Sequence, residues 1–202
     1  GGPGSSAIDF LPQLLDTLSP RMVASFDWVA FDPRGVGFST PLDCHGTLQQ
    51  YDAVDSSPDS EAEWKALDDA SAAFANECKQ KHEALLPHLG TLNVARDMDR
   101  VREGLGEEKI DYLGFSYGVS IGAFYADLFP ERARHFVLDG AVDLRLGALD
   151  LVLEQAKGFE LALANYFAWC KADTTRCTWT GTSTPEARFE QLRASIELAP
   201  LA

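Results

Sequence analysis

Ser116 stands in the stretch IDYLGFSYGVSIGAFYADLF, with Gly114 two residues before it and Gly118 two residues after. An apolar run precedes the serine and a helix-spaced run follows, so it falls on a sharp turn from strand to helix. Such a turn presents a nucleophile: small residues on either side let it close without clashes, and the serine Oγ projects from the end of the strand. The free N–H groups and dipole of the following helix favour negative charge beside that hydroxyl. Gly118, Gly122 and Ala126 recur every fourth residue, which predicts one smooth helical face packed close to a sheet. The five-residue pattern alone is weak, since chance matches are common and a turn serine with incidental glycines satisfies it. The strand before it and the helix after it are what give it weight.

Acyl transfer also needs N–H donors aimed at the oxyanion of the tetrahedral intermediate. One is expected from the backbone of the residue after the nucleophile, here Tyr117; the other comes from a glycine-rich loop. The chain opens on such a loop, GGPG at positions 1–4, with Gly2 the candidate donor. In FDPRGVGFST, Asp32-Pro33-Arg34-Gly35 closes a predicted strand end beside the nucleophile, and Arg34 reads as one half of a structural salt bridge rather than as a substrate contact.

A serine hydroxyl further needs a general base. The chain has 4 histidines. His45 and His82 lie in polar surroundings, and His88 lies in a loop; all three read as exposed or capping residues. His135 falls at the base of the strand after the nucleophile, at the opposite end of the sheet from Ser116. Asp139 ends that strand and reads as a strand-end hydrogen-bonding residue before it reads as a triad acid. The expectation is that the triad Asp and His are not present in this chain, and that these residues alone hydrolyse little.

The elements that must position Ser116 follow from periodicity. FDWVAFD (26–32), KIDYLGFS (109–116) and RHFVLDG (134–140) read as strands. Between them, residues 60–82 read as a helix opened by a Ser60/Glu63 capping box, with Trp64, Leu67, Ser71, Phe74 and Cys78 along one face. Residues 93–106 read as a second helix, with Val94, Met98, Val101 and Leu105 on one face, and residues 117–129 as a third. Residues 7–20 read as a loop with a short helix and residues 40–59 as irregular. Strand, helix, strand, helix, strand implies a parallel sheet. After residue 143 the pattern changes to helices at 147–170 and 184–198 around a threonine-rich turn, with no strand between them. The expected architecture is therefore α/β: a partial parallel sheet with flanking helices over residues 1–143, and an incomplete helical unit over 144–202.

Composition sets limits on function. The net charge of −14 disfavours a nucleic-acid partner, which usually calls for a basic patch. Acidity would attract a cationic group such as a free peptide amino terminus, although a solvated acidic surface is the simpler reading. No apolar run approaches the ~18 residues of a membrane span. The 4 cysteines form no CxxC, and no histidines are spaced beside them as zinc ligands, so no metal site is expected. Cys170 and Cys177 flank a polar turn; Cys44 follows a predicted strand and Cys78 lies on a helix face. Cys44–Cys78 and Cys170–Cys177 are the expected disulfides, with four reduced thiols as the alternative; if the pairs form, the compartment is oxidising.

Taken together, GGPG at 1–4, DPRGVGFS at 32–39 and GFSYG at 114–118 resemble, in that order, the α/β-hydrolase fold. More narrowly they resemble the proline iminopeptidase-like serine peptidases and secreted tripeptidyl aminopeptidases of actinobacterial type. YADLFPERARHFVLDGAVD is similar to that family's helix and strand after the nucleophile, and GFELALANYFAWC to the start of its helical cap. The resemblance implies Ser116 as nucleophile, Gly2 and Tyr117 as oxyanion-hole N–H donors, no cofactor, secretion, and release of single residues or short peptides from free amino termini. It also implies acidic cap residues that hold the substrate's amino group; Glu154 and Glu160 lie in the matching region, where each reads first as part of a solvated helix face. The family's histidine before GGPG has no counterpart here, and its triad acid and base follow the cap. The resemblance thus implies an internal piece of a longer hydrolase. An esterase or lipase on the same fold is the rival enzyme reading, and a catalytically silent binding protein the rival of another class.

Overall fold

The computed structural model describes residues 2–177, 179 and 183–198; Gly1, the side chain of His45 and residues 178 and 180–182 of the threonine-rich turn lie outside that description. The chain divides into two compact units, Gly1–Val142 and Asp143–Ala202.

In the first unit, β1 (Ile110–Phe115) and β2 (Ala133–Asp139) pair in parallel. The register sets Tyr112 opposite Phe136, Gly114 opposite Leu138 and Phe115 opposite Asp139. The connection between them is α6 (Tyr117–Leu128), as a parallel pair requires. Helix α5 (Thr91–Gly104) packs on α6, and the core forms between them from Val94, Ala95, Met98, Ile121 and Tyr125. Phe31 and, from the sheet, Tyr112 and Phe136 are partly buried and pack against this core. Burying each large side chain contributes roughly 1.5–3 kcal/mol. The α5 face turns inward as its spacing predicts at Val94 and Met98, but Leu105 caps the helix and is exposed.

Asp99 joins the same layers by polar contacts. Its carboxylate is almost fully buried, accepts from Arg102 Nε at 2.8 Å and Tyr125 Oη at 3.3 Å, and pairs with Arg132. Burial pushes this carboxyl up, and the two guanidinium groups outweigh it, leaving it below its ordinary value. At the N-terminal end of the strands, Asp111 binds Arg134 Nη2 at 2.5 Å and His135 Nδ1 at 2.8 Å. Arg134 chiefly, with His135 and against the cost of burial, holds the Asp111 carboxyl at about 2. The folded value lies below the unfolded value of about 3.9. The stabilisation is therefore complete above that pH and is lost as pH falls through about 2. Asp111→Asn is expected to flatten the pH dependence of stability between about 4 and 2, read by denaturant titration at a series of pH values.

Three readings of the sequence are corrected here. Residues 26–32 form no strand: nothing among the described residues pairs with them, and Phe26 and Val29 are exposed. An apolar extended run becomes a strand only when a neighbour supplies the ladder. Residues 45–52 are not irregular but form α3 (His45–Asp52). Its N-cap, Cys44, offers no side-chain cap. Instead Glu77, on α4 (Glu61–His82), accepts from Gly46 N at 3.1 Å, Thr47 N at 2.8 Å and Thr47 Oγ1 at 2.6 Å. The Cys44–Cys78 disulfide and the stacked Tyr51 and Phe74 rings hold the same two helices together. α4 opens on the Ser60/Glu63 capping box, while Trp64, at the start of its apolar face, is exposed. The N-terminal segment, read as a loop with a short helix, holds more helix than that, as α1 (Ala7–Thr17) and α2 (Pro20–Val23).

The second unit contains α7 (Ala148–Ala172) and α8 (Pro185–Leu198). Phe167 meets Phe189 edge to face at 5.8 Å, Lys171 pairs with Glu186 at 2.5 Å, and Cys170 is bonded to Cys177. Glu154 and Glu160 are exposed on α7, and Glu154 binds Lys157 at 2.6 Å. No helix among the described residues is long and apolar enough to cross a membrane.

Candidate active site

Ser116 occupies the junction between β1 and α6 with φ 51° and ψ −119°. A side chain at positive φ is strained, and non-glycine residues persist there only where the surroundings impose it. Those surroundings are visible. Ser116 N–H donates to the carbonyl of Asp139 at 2.8 Å, which extends the β1–β2 ladder by one residue. Ser116 is exposed, and its hydroxyl makes no capping bond to α6. A serine at a helix start ordinarily spends its oxygen on the N–H groups of the first turn; here the backbone geometry turns it away from them.

The glycines around it clear space for one side chain, Tyr112. A Cβ at Gly114 would come within 2.6 Å of Tyr112 Cε1 and 2.7 Å of the Gly118 carbonyl oxygen. A Cβ at Gly122 would come within 2.5 Å of Tyr112 Cε1 and 2.9 Å of Leu138 Cδ2. The Tyr112 ring thus lies in the groove between β1 and α6, and its hydroxyl donates to Gly118 O at 2.7 Å. Burial pushes the Tyr112 phenol up to about 12, so it remains a donor at any working pH. The smooth Gly118–Gly122 face packs against the sheet as its spacing predicts. Tyr112, which makes that face necessary, was not singled out from the sequence. Its signal was an aromatic residue two positions before the first glycine. Tyr112→Phe is expected to cost about 1 kcal/mol, the net worth of one hydrogen bond, seen as a lower urea midpoint.

Tyr117 begins α6 with its side chain turned toward α5, where its hydroxyl lies 2.9 Å from Thr91 Oγ1. It can therefore serve the turn only through its backbone N–H. Gly2 has φ 100°, and a Cβ there would come within 2.9 Å of Gly4 N and 3.0 Å of Ser5 N, so the loop turns tightly on itself. From this loop α1 departs, and its Phe10 ring meets Phe115 edge to face at 6.0 Å, one residue before Ser116. The glycine loop and the serine turn are thereby linked through neighbouring side chains.

Asp32 anchors the loop from the other side. It accepts from Ser6 Oγ at 2.9 Å, Ala7 N at 2.8 Å, Ile8 N at 3.1 Å and Phe38 N at 2.9 Å. Burial pushes its carboxyl up, and the donors from Phe38, Ile8, Ser6 and Ala7 together bring it below its ordinary value. Arg34 forms a two-pronged pair with Asp97, Nε at 2.7 Å and Nη2 at 2.5 Å, and Nη1 donates to His88 O at 3.2 Å. That is a structural bridge from the loop to α5. Because both partners are about one-third exposed, Arg34→Ala is expected to cost no more than about 1 kcal/mol, measured by denaturant unfolding. A depression of about 440 Å³ beside this bridge is lined by Phe31, Asp32, Arg34, Thr40, Asp97 and Val101. It does not include Ser116, so the chemistry of the turn rather than this hollow locates the candidate site.

The side chains of His82 and His135 are engaged away from Ser116. His135 binds Asp111 near the N-terminal end of β2, whereas Ser116 follows the C-terminal end of β1. His82 Nε2 accepts from Asp43 N at 2.9 Å, a capping role. His88 lies in the turn before α5 and contributes its carbonyl to Arg34 and Asn93. The Asp139 group that meets the serine turn is its main-chain carbonyl. No group of three or more His, Cys, Asp or Glu among the described residues is placed to hold a metal ion.

A parallel strand, an exposed serine at positive φ and a helix seated on glycines define the frame of a nucleophile elbow. A family model for the alpha/beta hydrolase fold matches residues 1–193, and the chain belongs to that family. It is 41% identical over 174 residues to the serine protease Hip1 of Mycobacterium tuberculosis, covering 84% of this chain and 34% of that protein. It is 39% identical over 147 residues to the tripeptidyl aminopeptidase of Streptomyces lividans, covering 71% of this chain and 27% of that protein. It is 38% identical over 176 residues to a carboxylesterase B of Mycobacterium tuberculosis, covering 84% and 34%. The chain thus spans about a third of the length of the curated relatives it matches.

Proposed function

We propose that the chain carries the nucleophile half of a serine hydrolase that works by acyl transfer, acting as an exopeptidase at free amino termini. The observation that carries this is the exposed Ser116 hydroxyl, held at positive φ and left out of helix capping. Ser116 Oγ attacks the substrate carbonyl while a histidine takes its proton. The N–H groups of Gly2 and Tyr117, with the N-terminus of α6 behind the latter, receive the oxyanion. Collapse of the tetrahedral intermediate breaks the C–N bond, the histidine returns the proton to the leaving amine, and an ester at Ser116 remains for water to hydrolyse. Among the described side chains His82 and His135 are engaged elsewhere; the base and its acid are assigned to segments beyond these residues, and the 202 residues alone are expected to show negligible peptidase activity. The aminopeptidase assignment is supported by identity to a tripeptidyl aminopeptidase, and secretion by the two disulfides.

Labelling of the full-length protein with a fluorophosphonate, followed by peptide mass spectrometry, tests this reading: the adduct is expected on Ser116, and its absence there would overturn it. An esterase reading is favoured by the 38% identity to a carboxylesterase B. Turnover of tripeptidyl arylamides against short acyl esters separates the two.

A further inference from the structure

We propose that Asp32 is a positioning residue for the acyl transfer, holding the glycine-rich loop in register with the Ser116 turn. This rests on the assignment of Ser116 and Gly2 given above. Asp32 is only 2% exposed. Three of its donors, Ser6 Oγ, Ala7 N and Ile8 N, follow directly on the glycine loop, and the fourth, Phe38 N, belongs to the segment after Arg34. The carboxylate therefore pins the exit of the loop and the start of α1 to a second stretch of backbone. Helix α1 carries the constraint onward, since Phe10 rests on Phe115 beside Ser116. The backbone is shaped for this carboxylate: a Cβ at Gly37, whose φ is 50°, would lie 2.1 Å from Asp32 Oδ2. A buried charge is costly unless its acceptor sites are filled, and here each oxygen is met by donors from the segments it joins.

Asparagine at this position separates positioning from bulk. It keeps an oxygen for Ala7 and Ile8 but turns an amide donor toward Phe38 N–H, so the link between the segments is lost with little change in size. Loop misplacement of the order of 1 Å costs roughly 100-fold in rate. It acts on the transition state, where the oxyanion forms, and not on ground-state binding.

The test uses the full-length enzyme and a tripeptidyl arylamide, with rates normalised to sites labelled to completion by fluorophosphonate. Asp32→Asn is expected to lower kcat by roughly 10–100-fold with KM held within about 2-fold. Arg34→Ala, which disturbs the same segment through Asp97, is expected to leave both constants near those of the parent. An unchanged kcat, or a change carried by KM, in folded Asp32→Asn would overturn the proposal. Should that variant fail to fold, Ser6→Ala decides: a smaller fall in kcat at constant KM supports positioning, and an unchanged kcat overturns it. If the parent takes no label at Ser116, the functional reading falls first and this inference with it.

Discussion

Ser116→Ala in the full-length protein is expected to lower kcat for a tripeptidyl arylamide by roughly 10⁴–10⁶-fold, with folding retained. The size of the effect follows from what the hydroxyl alone supplies. On the proposed mechanism no acyl-enzyme forms without it, and the oxyanion donors and bound substrate assist only direct attack by water. Folding is retained because Oγ makes no capping bond to α6, so its removal leaves no buried partner unpaired. Alanine also keeps the backbone N–H that donates to Asp139 O. The strain of φ 51° remains with either side chain, so thermal stability is expected to change little. The measurement is single-turnover kinetics beside a thermal melt. A variant that loses its activity only in proportion to a lost fold would assign Ser116 to structure, and a variant with more than a tenth of the parent rate would remove it from the mechanism.

Gly114→Val is expected to produce the largest loss of stability among substitutions at the turn, about 3 kcal/mol, the upper part of the range for overpacking. At two-state scaling this corresponds to roughly 6–12 °C in Tm. Two contacts set the cost. The added Cβ would face the Gly118 carbonyl oxygen at 2.7 Å, which is backbone held by α6, and the Tyr112 ring at 2.6 Å. Neither can retreat: the ring is itself fixed by its bond to Gly118 O and by Phe136, with ring centres 5.2 Å apart. Because the displaced atoms are those that set the Ser116 turn, fluorophosphonate labelling of the variant is expected to fall as well. Gly104, near the end of α5, has open space around its Cβ position. Gly104→Ala is thus the control, expected to stabilise α5 by several tenths of a kcal/mol, up to about 1. A Gly114→Val protein as stable as that control would show that the turn does not need its glycine.

The Ser116 turn was legible in the sequence because its requirements are local. Glycines two positions either side of Ser116, a strand pattern before and a helix pattern after are set by backbone sterics within a few residues. The capping box at Ser60 and Glu63 and the inward residues Val94 and Met98 were legible for the same reason. Helix α3 was not, since its first turn is satisfied by Glu77 from another helix and not by a cap of its own. The run at 26–32 carries the composition of a strand, yet composition states only that a segment can pair, and pairing is decided by what lies beside it.

The positions proposed to carry the chemistry, Gly2, Ser116 and Tyr117, were thus singled out from the sequence itself, through short-range steric rules that hold wherever the chain goes. What joins them was decided by tertiary structure alone. Tyr112 filling the space that Gly114 and Gly122 leave, Phe10 resting on Phe115, and Asp32 gathering donors from residues 6–8 and 38 are contacts between segments remote in sequence. Such contacts leave no periodic trace, because a hydrogen bond or ring contact depends on where two segments meet in space, and no spacing along one of them encodes the other's position.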